Sequence, residues 1–93
     1  MTNGKKYNLT ERTYNFGKSV IVFAKTLPKN TITLPLIPQF IRAGTSVGAN
    51  YSEADNAESK NDFKHKIGIA KKEAQETVYW LDLVITACPE LKG

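Results

Sequence analysis

The strongest constraint on this chain is an apolar pattern in its last third. Small or apolar residues recur there at alternating spacings of four and three over almost four heptads: Phe63, Ile67, Ala70, Ala74, Thr77, Leu81, Val84 and Cys88. This alternation places side chains on one face of an α-helix and is typical of helices that pack along their whole length. The pattern predicts a helix over residues 60–87 that needs other helices to cover its face.

A similar pattern near the N-terminus predicts a first helix over residues 10–27. Thr10 is a suitable N-cap for it, and Pro28 prevents its continuation. The apolar face consists of residues spaced four and three apart: Leu9, Thr13, Phe16, Val20, Phe23 and Leu27.

The middle of the chain predicts a second helix over about residues 35–57, which starts among the prolines at 35 and 38. Its apolar face carries Ile37, Ile41, Gly44, Val47, Tyr51 and Ala54. No segment alternates with the two-residue period of a half-buried strand. The prediction is therefore an all-α single domain over residues 1–93, an antiparallel up-down bundle of three long helices with a flexible N-terminus at residues 1–9.

Two glycines lie four residues apart in the second helix. Gly44 and Gly48 each cost about 1 kcal/mol of helix propensity relative to alanine, so we expect close packing of a neighbouring helix to compensate. A flexible hinge is the alternative interpretation.

A polar stripe runs beside the apolar face of the second helix. It carries Arg42, Ser46, Asn50 and Glu53, while Glu73 and Glu76 flank a core position of the third helix. If the two helices pack together, Arg42 and Asn50 face Glu73 or Glu76 in a half-buried network that fixes the helix register. The alternative is a solvated face with ordinary pairs within each helix.

The third helix also has a second apolar side. Ile69, Trp80 and Leu83 lie on it, with Tyr79 beside them. A helix with two apolar sides needs neighbours on both, which indicates either a bundle interior or a subunit interface.

The charge pattern points to an anionic partner. Thirteen Lys and Arg against nine Asp and Glu give a net charge of +4. The third helix carries five lysines against one aspartate over residues 60–72, and two lysines of the first helix extend this basic surface. Lysine suits phosphate without reading base edges, so nucleic-acid binding would be salt-sensitive and weakly sequence-specific. A lysine-rich solvated face is the alternative. The candidate residues are Lys60, Lys64, Lys66, Lys71 and Lys72, with Lys18 and Lys25 as outer contributors.

The residues that carry catalysis or hold metals are scarce. Cys88 and His65 are the only cysteine and the only histidine, and some 35 Å separates them along one helix, so a dyad within one chain fails on distance. Asp62 and His65 have a spacing found in di-metal bundles, but those sites repeat the motif on a second helix. We therefore expect no enzyme activity, no cofactor, no metal and no small-molecule substrate.

The expected cellular location follows from the length of the apolar runs in the sequence. The longest, residues 20–24, is far shorter than a membrane span, and no secretory signal follows Lys5 and Lys6. A hydrophobic fraction of 41% excludes wholesale disorder. The expectation is a cytoplasmic protein with no membrane partner.

Several segments resemble the bacterial protein family encoded in intervening sequences of 23S ribosomal RNA genes. The likeness covers residues 13–83 and is carried by LPKN at 27–30, QFIRAGTSVGANYSEA at 39–54, DFKHKI at 62–67, AKKEAQET at 70–77 and YWL at 79–81. The resemblance implies an antiparallel four-helix bundle that assembles into a homopentamer. It also implies similarity to the accessory variability determinant of diversity-generating retroelements, a basic pentamer that binds nucleic acid.

One departure from this family pattern concerns the fourth helix. Family members continue beyond Tyr79-Trp80-Leu81 into that helix, whereas here Pro89 and Gly93 are typical of helix termination. A three-helix chain, naturally short or truncated, would expose the groove that a fourth helix fills, and a dimer becomes an alternative to the pentamer.

These observations lead to one functional hypothesis and one rival. The first is a non-enzymatic oligomer that binds RNA or DNA through backbone phosphates. The rival is a protein-interaction scaffold without a nucleic-acid role, in which Tyr79, Trp80 and the polar stripe of the second helix build the interface.

Overall fold

The computed structural model describes residues 8–91 and consists of helices in that range. Helix α1 spans Leu9–Lys25, α2 spans Ile37–Asp55, α3 spans Lys60–Ala87, and a short 3-10 helix follows at Pro89–Leu91. No strand occurs in the described range, so the all-helical prediction is confirmed. The predicted flexible N-terminus lies outside the described residues except for Asn8 and Leu9, which begin α1.

The start of α1 differs from the prediction because Asn8, and not Thr10, is its N-cap. The Asn8 Oδ1 accepts a hydrogen bond from the Glu11 amide at 3.0 Å, which satisfies one of the free amides of the first turn. Thr10 lies inside the helix, where its hydroxyl donates to Asp55 at the end of α2 at 2.6 Å.

The end of α1 falls two residues earlier than predicted because the amides of Thr26 and Leu27 bond to the carbonyls three residues before them, which tightens the last turn. The Lys29 ammonium donates to the carbonyl oxygens of Ala24 and Leu27 at 3.2 and 2.9 Å. These bonds satisfy carbonyl groups at and just after the end of α1, and the ammonium charge complements the negative end of the helix dipole.

The connection to α2 is an ordered turn built on a buried threonine. Thr33 is fully buried; its hydroxyl accepts from the Asn30 amide at 2.9 Å and donates to the Pro28 carbonyl at 2.7 Å. The turn occupies the residues before Ile37, so α2 starts two positions later than predicted, with Pro38 in its first turn. Helix α3 has the predicted bounds, and its cap is Ser59, whose Oγ accepts from the Asp62 amide at 3.0 Å.

Helix α2 contacts both α1 and α3, and the core lies between these layers. The start of α1 meets the end of α2, and Phe23 meets Phe40 edge to face at 6.0 Å between ring centroids. Contacts between α2 and α3 pair Arg42 with Glu76 and Glu53 with Lys66. The core consists of buried Val20, Ala24, Leu27, Ile37, Phe40 and Val84, with Phe23, Leu36, Ile41, Trp80 and Leu81 packed against it.

The two glycines of α2 lie where α1 approaches most closely. A Cβ at Gly44 would stand 2.7 Å from Cγ2 of Val20, and one at Gly48 would stand 3.0 Å from the Thr13 carbonyl oxygen. The predicted close packing is confirmed. The hinge interpretation is wrong because both glycines lie within one continuous helix.

This close approach generates a stability prediction with a matched control. We expect Gly44→Ala to lower the free energy of unfolding by about 1–3 kcal/mol, because the new methyl overpacks against the stiff Val20 side chain. Gly68 is also helical, but a Cβ added there would meet no atom within 4 Å, so Gly68→Ala should raise the free energy by up to about 1 kcal/mol. Urea unfolding followed by circular dichroism measures both. Equal changes of the same sign would contradict the packing argument.

Candidate functional site

The apolar face of α3 is divided between the core and solvent. Ala70, Thr77, Val84 and Cys88 are buried, and all four are spaced seven or four residues apart on the side toward α2. The alternate members of the pattern are covered less: Phe63 is 43% exposed, and Ile67, Ala74 and Leu81 are half-buried. The pattern therefore predicted correctly which residues share one face of α3. It did not predict that this face is only partly buried, because α1 packs on α2 and leaves part of the face open.

The less covered part of this α3 face borders an apolar groove between α1 and α3, with α2 as its floor. Two hollows of about 490 and 380 Å³ follow one another along it. The α1 wall carries residues seven apart, Leu9, Phe16 and Phe23, which belong to the apolar face predicted for this helix. The lining includes Leu9, Phe16 and Phe23 on α1; Phe40, Val47 and Tyr51 on α2; and Phe63, Ile67, Ala74, Val78, Leu81 and Ile85 on α3.

Three of the predicted lysines form a row on the rim of this groove. Lys60, Lys64 and Lys71 are spaced four and seven apart, which places them within about 40° on one face of α3. All three are exposed. Lys71 lines one hollow with Phe63, and Lys60 and Lys64 line the adjoining surface beside the same ring. We call these three residues the lysine row.

The other predicted lysines of α3 lie elsewhere. Lys66 faces α2, where its ammonium lies 2.6 Å from the Glu53 carboxylate. That hydrogen bond and the charge of Glu53 raise the pKa of Lys66 above its ordinary value. Lys72 is exposed about 100° around the helix from Lys71.

The two lysines of α1 are on the far side of that helix. Lys18 and Lys25 are exposed and stand about 160° around α1 from the aromatic wall of the groove. The Lys18 ammonium lies 5.0 Å from the Tyr14 ring centroid, a cation–π distance. The seven lysines therefore form separate groups, of which the lysine row is the largest.

The polar stripe of α2 clamps α3 through Arg42. Its guanidinium donates to Glu73 at 3.1 Å and to Glu76 at 2.7 Å. These bonds, that to Glu76 first, raise the pKa of Arg42, so the side chain stays charged at neutral pH. Asn50 does not join the clamp, because its amide donates to the Ser46 carbonyl at 2.9 Å within α2.

The second apolar side of α3 is partly used by the core. Trp80 is half-buried and packs against the core cluster, whereas Tyr79 is 57% exposed. The two rings meet edge to face at 5.0 Å. Tyr79 remains the accessible member of the predicted interface pair.

Two further features concern metal ligation and membrane insertion. Among residues 8–91 no three His, Cys, Asp or Glu side chains are grouped as metal ligands. Nor does any helix in that range combine the length and apolarity required to cross a bilayer.

The helices and surfaces define a small all-helical protein with an exposed basic row beside an open apolar groove. The chain belongs to the 23S rRNA-intervening sequence protein family, whose model matches residues 5–87. A similar solved structure is a Bacteroides thetaiotaomicron VPI-5482 protein of unknown function from the S23 ribosomal protein family. It is 38% identical with a TM-score of 0.75, over 84% of this chain and 72% of the other. A search of curated proteins finds no match.

These comparisons confirm the family that the sequence motifs resembled. The four-helix bundle, the pentamer and the likeness to the accessory variability determinant stay predictions.

The Arg42 clamp generates a second stability prediction. Arg42→Gln should lower the free energy of unfolding by about 1 kcal/mol, because it leaves Glu73, whose side chain is only 13% exposed, without its cation. Arg42→Lys should recover only part of this loss, since an ammonium cannot serve both carboxylates as a planar guanidinium does. Urea unfolding measures the changes, with exposed Lys72→Gln as the control. A loss for Arg42→Gln no larger than that of the control would show that the clamp is not stabilising.

Proposed function

We propose that this protein is a non-enzymatic nucleic-acid-binding accessory protein that contacts backbone phosphates through the lysine row. The observation that carries the proposal is the alignment of Lys60, Lys64 and Lys71 on one exposed face. Within residues 8–91 none of the three forms an ion pair, whereas Lys66 does.

The geometry of the row suits a phosphate chain more than a base edge. From Lys60 to Lys71 the helix rises by eleven steps, or about 17 Å, enough to follow successive phosphates. Ammonium groups on flexible stems act as point charges, and the row contains no arginine for bidentate contact with guanine. Binding of this kind is strong at low salt and weakly sequence-specific.

Self-association into an up-down bundle assembly is part of the same proposal. The groove leaves large apolar side chains exposed, among them Phe16 at 40% and Phe63 at 43%, and a monomer of this size buries only about 64% of the surface that its unfolded chain exposes. A homopentamer would multiply the charge from +4 to 5 × 4 = +20 and would attract anions strongly. A dimer is the alternative assembly.

A charge-reversal experiment tests the lysine row. Lys64→Glu with Lys71→Glu should weaken binding to a structured RNA roughly tenfold or more at low salt, because two phosphate contacts become repulsive. Lys18→Glu with Lys25→Glu changes the net charge equally and is the matched control, with an expected loss below threefold. Fluorescence titration at low and moderate salt measures both. Absence of wild-type binding at low salt, or equal losses in the two variants, would contradict the proposal.

Light scattering tests the assembly separately. One chain has a mass of 10.4 kDa, so a pentamer predicts 5 × 10.4 = 52 kDa and a dimer 2 × 10.4 = 20.8 kDa. A folded single subunit at high micromolar concentration would overturn the self-association part while leaving the RNA titration interpretable.

A rival function, a protein-interaction scaffold, is favoured by the 57% exposed Tyr79 ring beside Trp80. In this case Trp80→Ala should change the assembly mass measured by light scattering, while reversal of Lys71 and Lys72 should leave that mass unchanged.

A further inference from the structure

Tyr79 is an exposed aromatic residue whose ring is held in place from one side. It meets the Trp80 ring edge to face at 5.0 Å between centroids, and Trp80 is packed against the core cluster. Tyr79 lies about 160° around α3 from buried Thr77, on the side away from α2. A ring fixed in this way loses little conformational entropy when a ligand binds to it. Tyr79 therefore presents a preorganised flat apolar surface to solvent.

Lys72 lies directly before Tyr79 on the same side of α3. The two residues are seven apart, which places them within about 20° around the helix and about 10 Å along it. Lys64 and Lys71 of the lysine row stand about 60–80° to one side. All four residues are exposed, so Lys72 connects the lysine row with the tyrosine.

The carboxylates of α3 leave this side of the helix positive. Glu73 and Glu76 hold the Arg42 guanidinium at 3.1 and 2.7 Å. Asp62 lies in the first turn, on the opposite side of the helix from the lysine row. The remaining carboxylate of α3, Asp82, follows the tyrosine and bounds the surface at its C-terminal end. The exposed side of α3 therefore combines positive charge with an accessible aromatic ring.

This combination suits a single-stranded nucleic acid. Lysines neutralise the phosphates while the ring stacks on a base, and stacking tolerates any sequence because every base has a π-face. A base inside a duplex is stacked on both sides and paired at its edge, so only an unpaired base reaches such a ring. A duplex has the higher density of phosphate charge and would be preferred by lysines alone.

We infer that an unpaired base of a single-stranded nucleic acid stacks on Tyr79 while the neighbouring phosphates lie against Lys72 and the lysine row. The inference rests on the proposed function, because it assigns the ligand class of the same surface. Stacking supplies affinity that depends little on salt, and the lysines supply the salt-dependent part. The site therefore distinguishes single strands from duplexes without reading base edges.

Three fluorescein-labelled RNA probes test this inference with the full 93-residue chain. The first is a single strand of about 12 nucleotides, the second is the same strand with abasic ribose at its central positions, and the third is the duplex of the first strand with its complement. The abasic strand keeps every phosphate. In anisotropy titrations at low salt we expect the intact strand to bind about fivefold or more tightly than the abasic strand, and more tightly than the duplex.

Variants of Tyr79 separate stacking from charge. Tyr79→Ala should weaken binding of the intact strand about fivefold or more and of the abasic strand less than about twofold, because it removes the ring but no charge. Tyr79→Phe keeps the ring and should keep both affinities. Tyr14→Ala is the matched control, because Tyr14 is an exposed tyrosine of α1 with the Lys18 ammonium already 5.0 Å from its ring centroid. This control should change binding of the intact strand less than about twofold.

Lys72→Gln tests the charged part of the site. It should weaken binding of the intact and abasic strands by a similar factor, and it should lower the slope of log affinity against log salt by about 0.7. Tyr79→Ala should leave that slope unchanged. Circular dichroism checks the helical content of each variant, and light scattering checks its assembly mass.

The outcomes separate failure of the inference from failure of the proposed function. Absence of binding to all three probes at low salt contradicts both. Binding that depends on Lys64 and Lys71 but is equal for the intact and abasic strands, or stronger for the duplex, overturns stacking and leaves phosphate binding in place. Equal losses for Tyr79→Ala and Tyr14→Ala also overturn stacking on Tyr79. A changed assembly mass in Tyr79→Ala identifies this residue as a contact between polypeptides and overturns its role as a base contact.

Discussion

The close approach of α1 to α2 is the constraint on which the rest of the structure depends. Gly44 and Gly48 allow α1 to approach α2 until the Val20 side chain and the Thr13 backbone occupy the space that a Cβ would need. Helix α1 is thereby held on α2, and in the described part of the chain α1 and α3 meet α2 rather than each other. The same packing that forms the core therefore also opens the groove between the two outer helices.

The polar residues of α2 fix the other side of this arrangement. Arg42 holds two carboxylates of α3, and Glu53 holds Lys66 two turns from the start of that helix. Both contacts lie on the side of α3 toward α2, which also carries buried Ala70, Thr77 and Val84, so ion pairing and core packing favour the same rotation of the helix. With that rotation the lysine row is placed on the rim of the groove and half of the apolar pattern is turned into it. The register of α3 therefore determines both candidate binding surfaces.

Much of the fold could be predicted from the sequence because the helices have strong periodicity and clear ends. The apolar pattern predicted the bounds of α3, and Gly44 with Gly48 predicted where another helix approaches. The ends of α1 could not be predicted as well, since its caps are the side chains of Asn8 and Lys29, which act from outside the periodic segment. Periodicity shows which residues share a face, but it does not show whether a neighbour covers that face.

The candidate site was less predictable because it depends on how α3 is rotated about its own axis relative to α2. The density of lysine over residues 60–72 indicated a basic helix, yet it could not separate Lys66, which pairs with Glu53, from the aligned row.

Helix stability does not account for the position of the lysine row. Lys60 and Lys64 occupy the first two turns of α3, where the helix dipole is positive and favours acidic residues by a few tenths of a kcal/mol to about 1 kcal/mol. Asp62 offsets this in the first turn, but the net charge of the N-terminal half of α3 is still strongly positive. The last turn of α3, where cations would be stabilising, has none. Positive charge is therefore concentrated at the end of α3 where it costs folding energy, as expected if the row interacts with an anionic group that is not part of this chain.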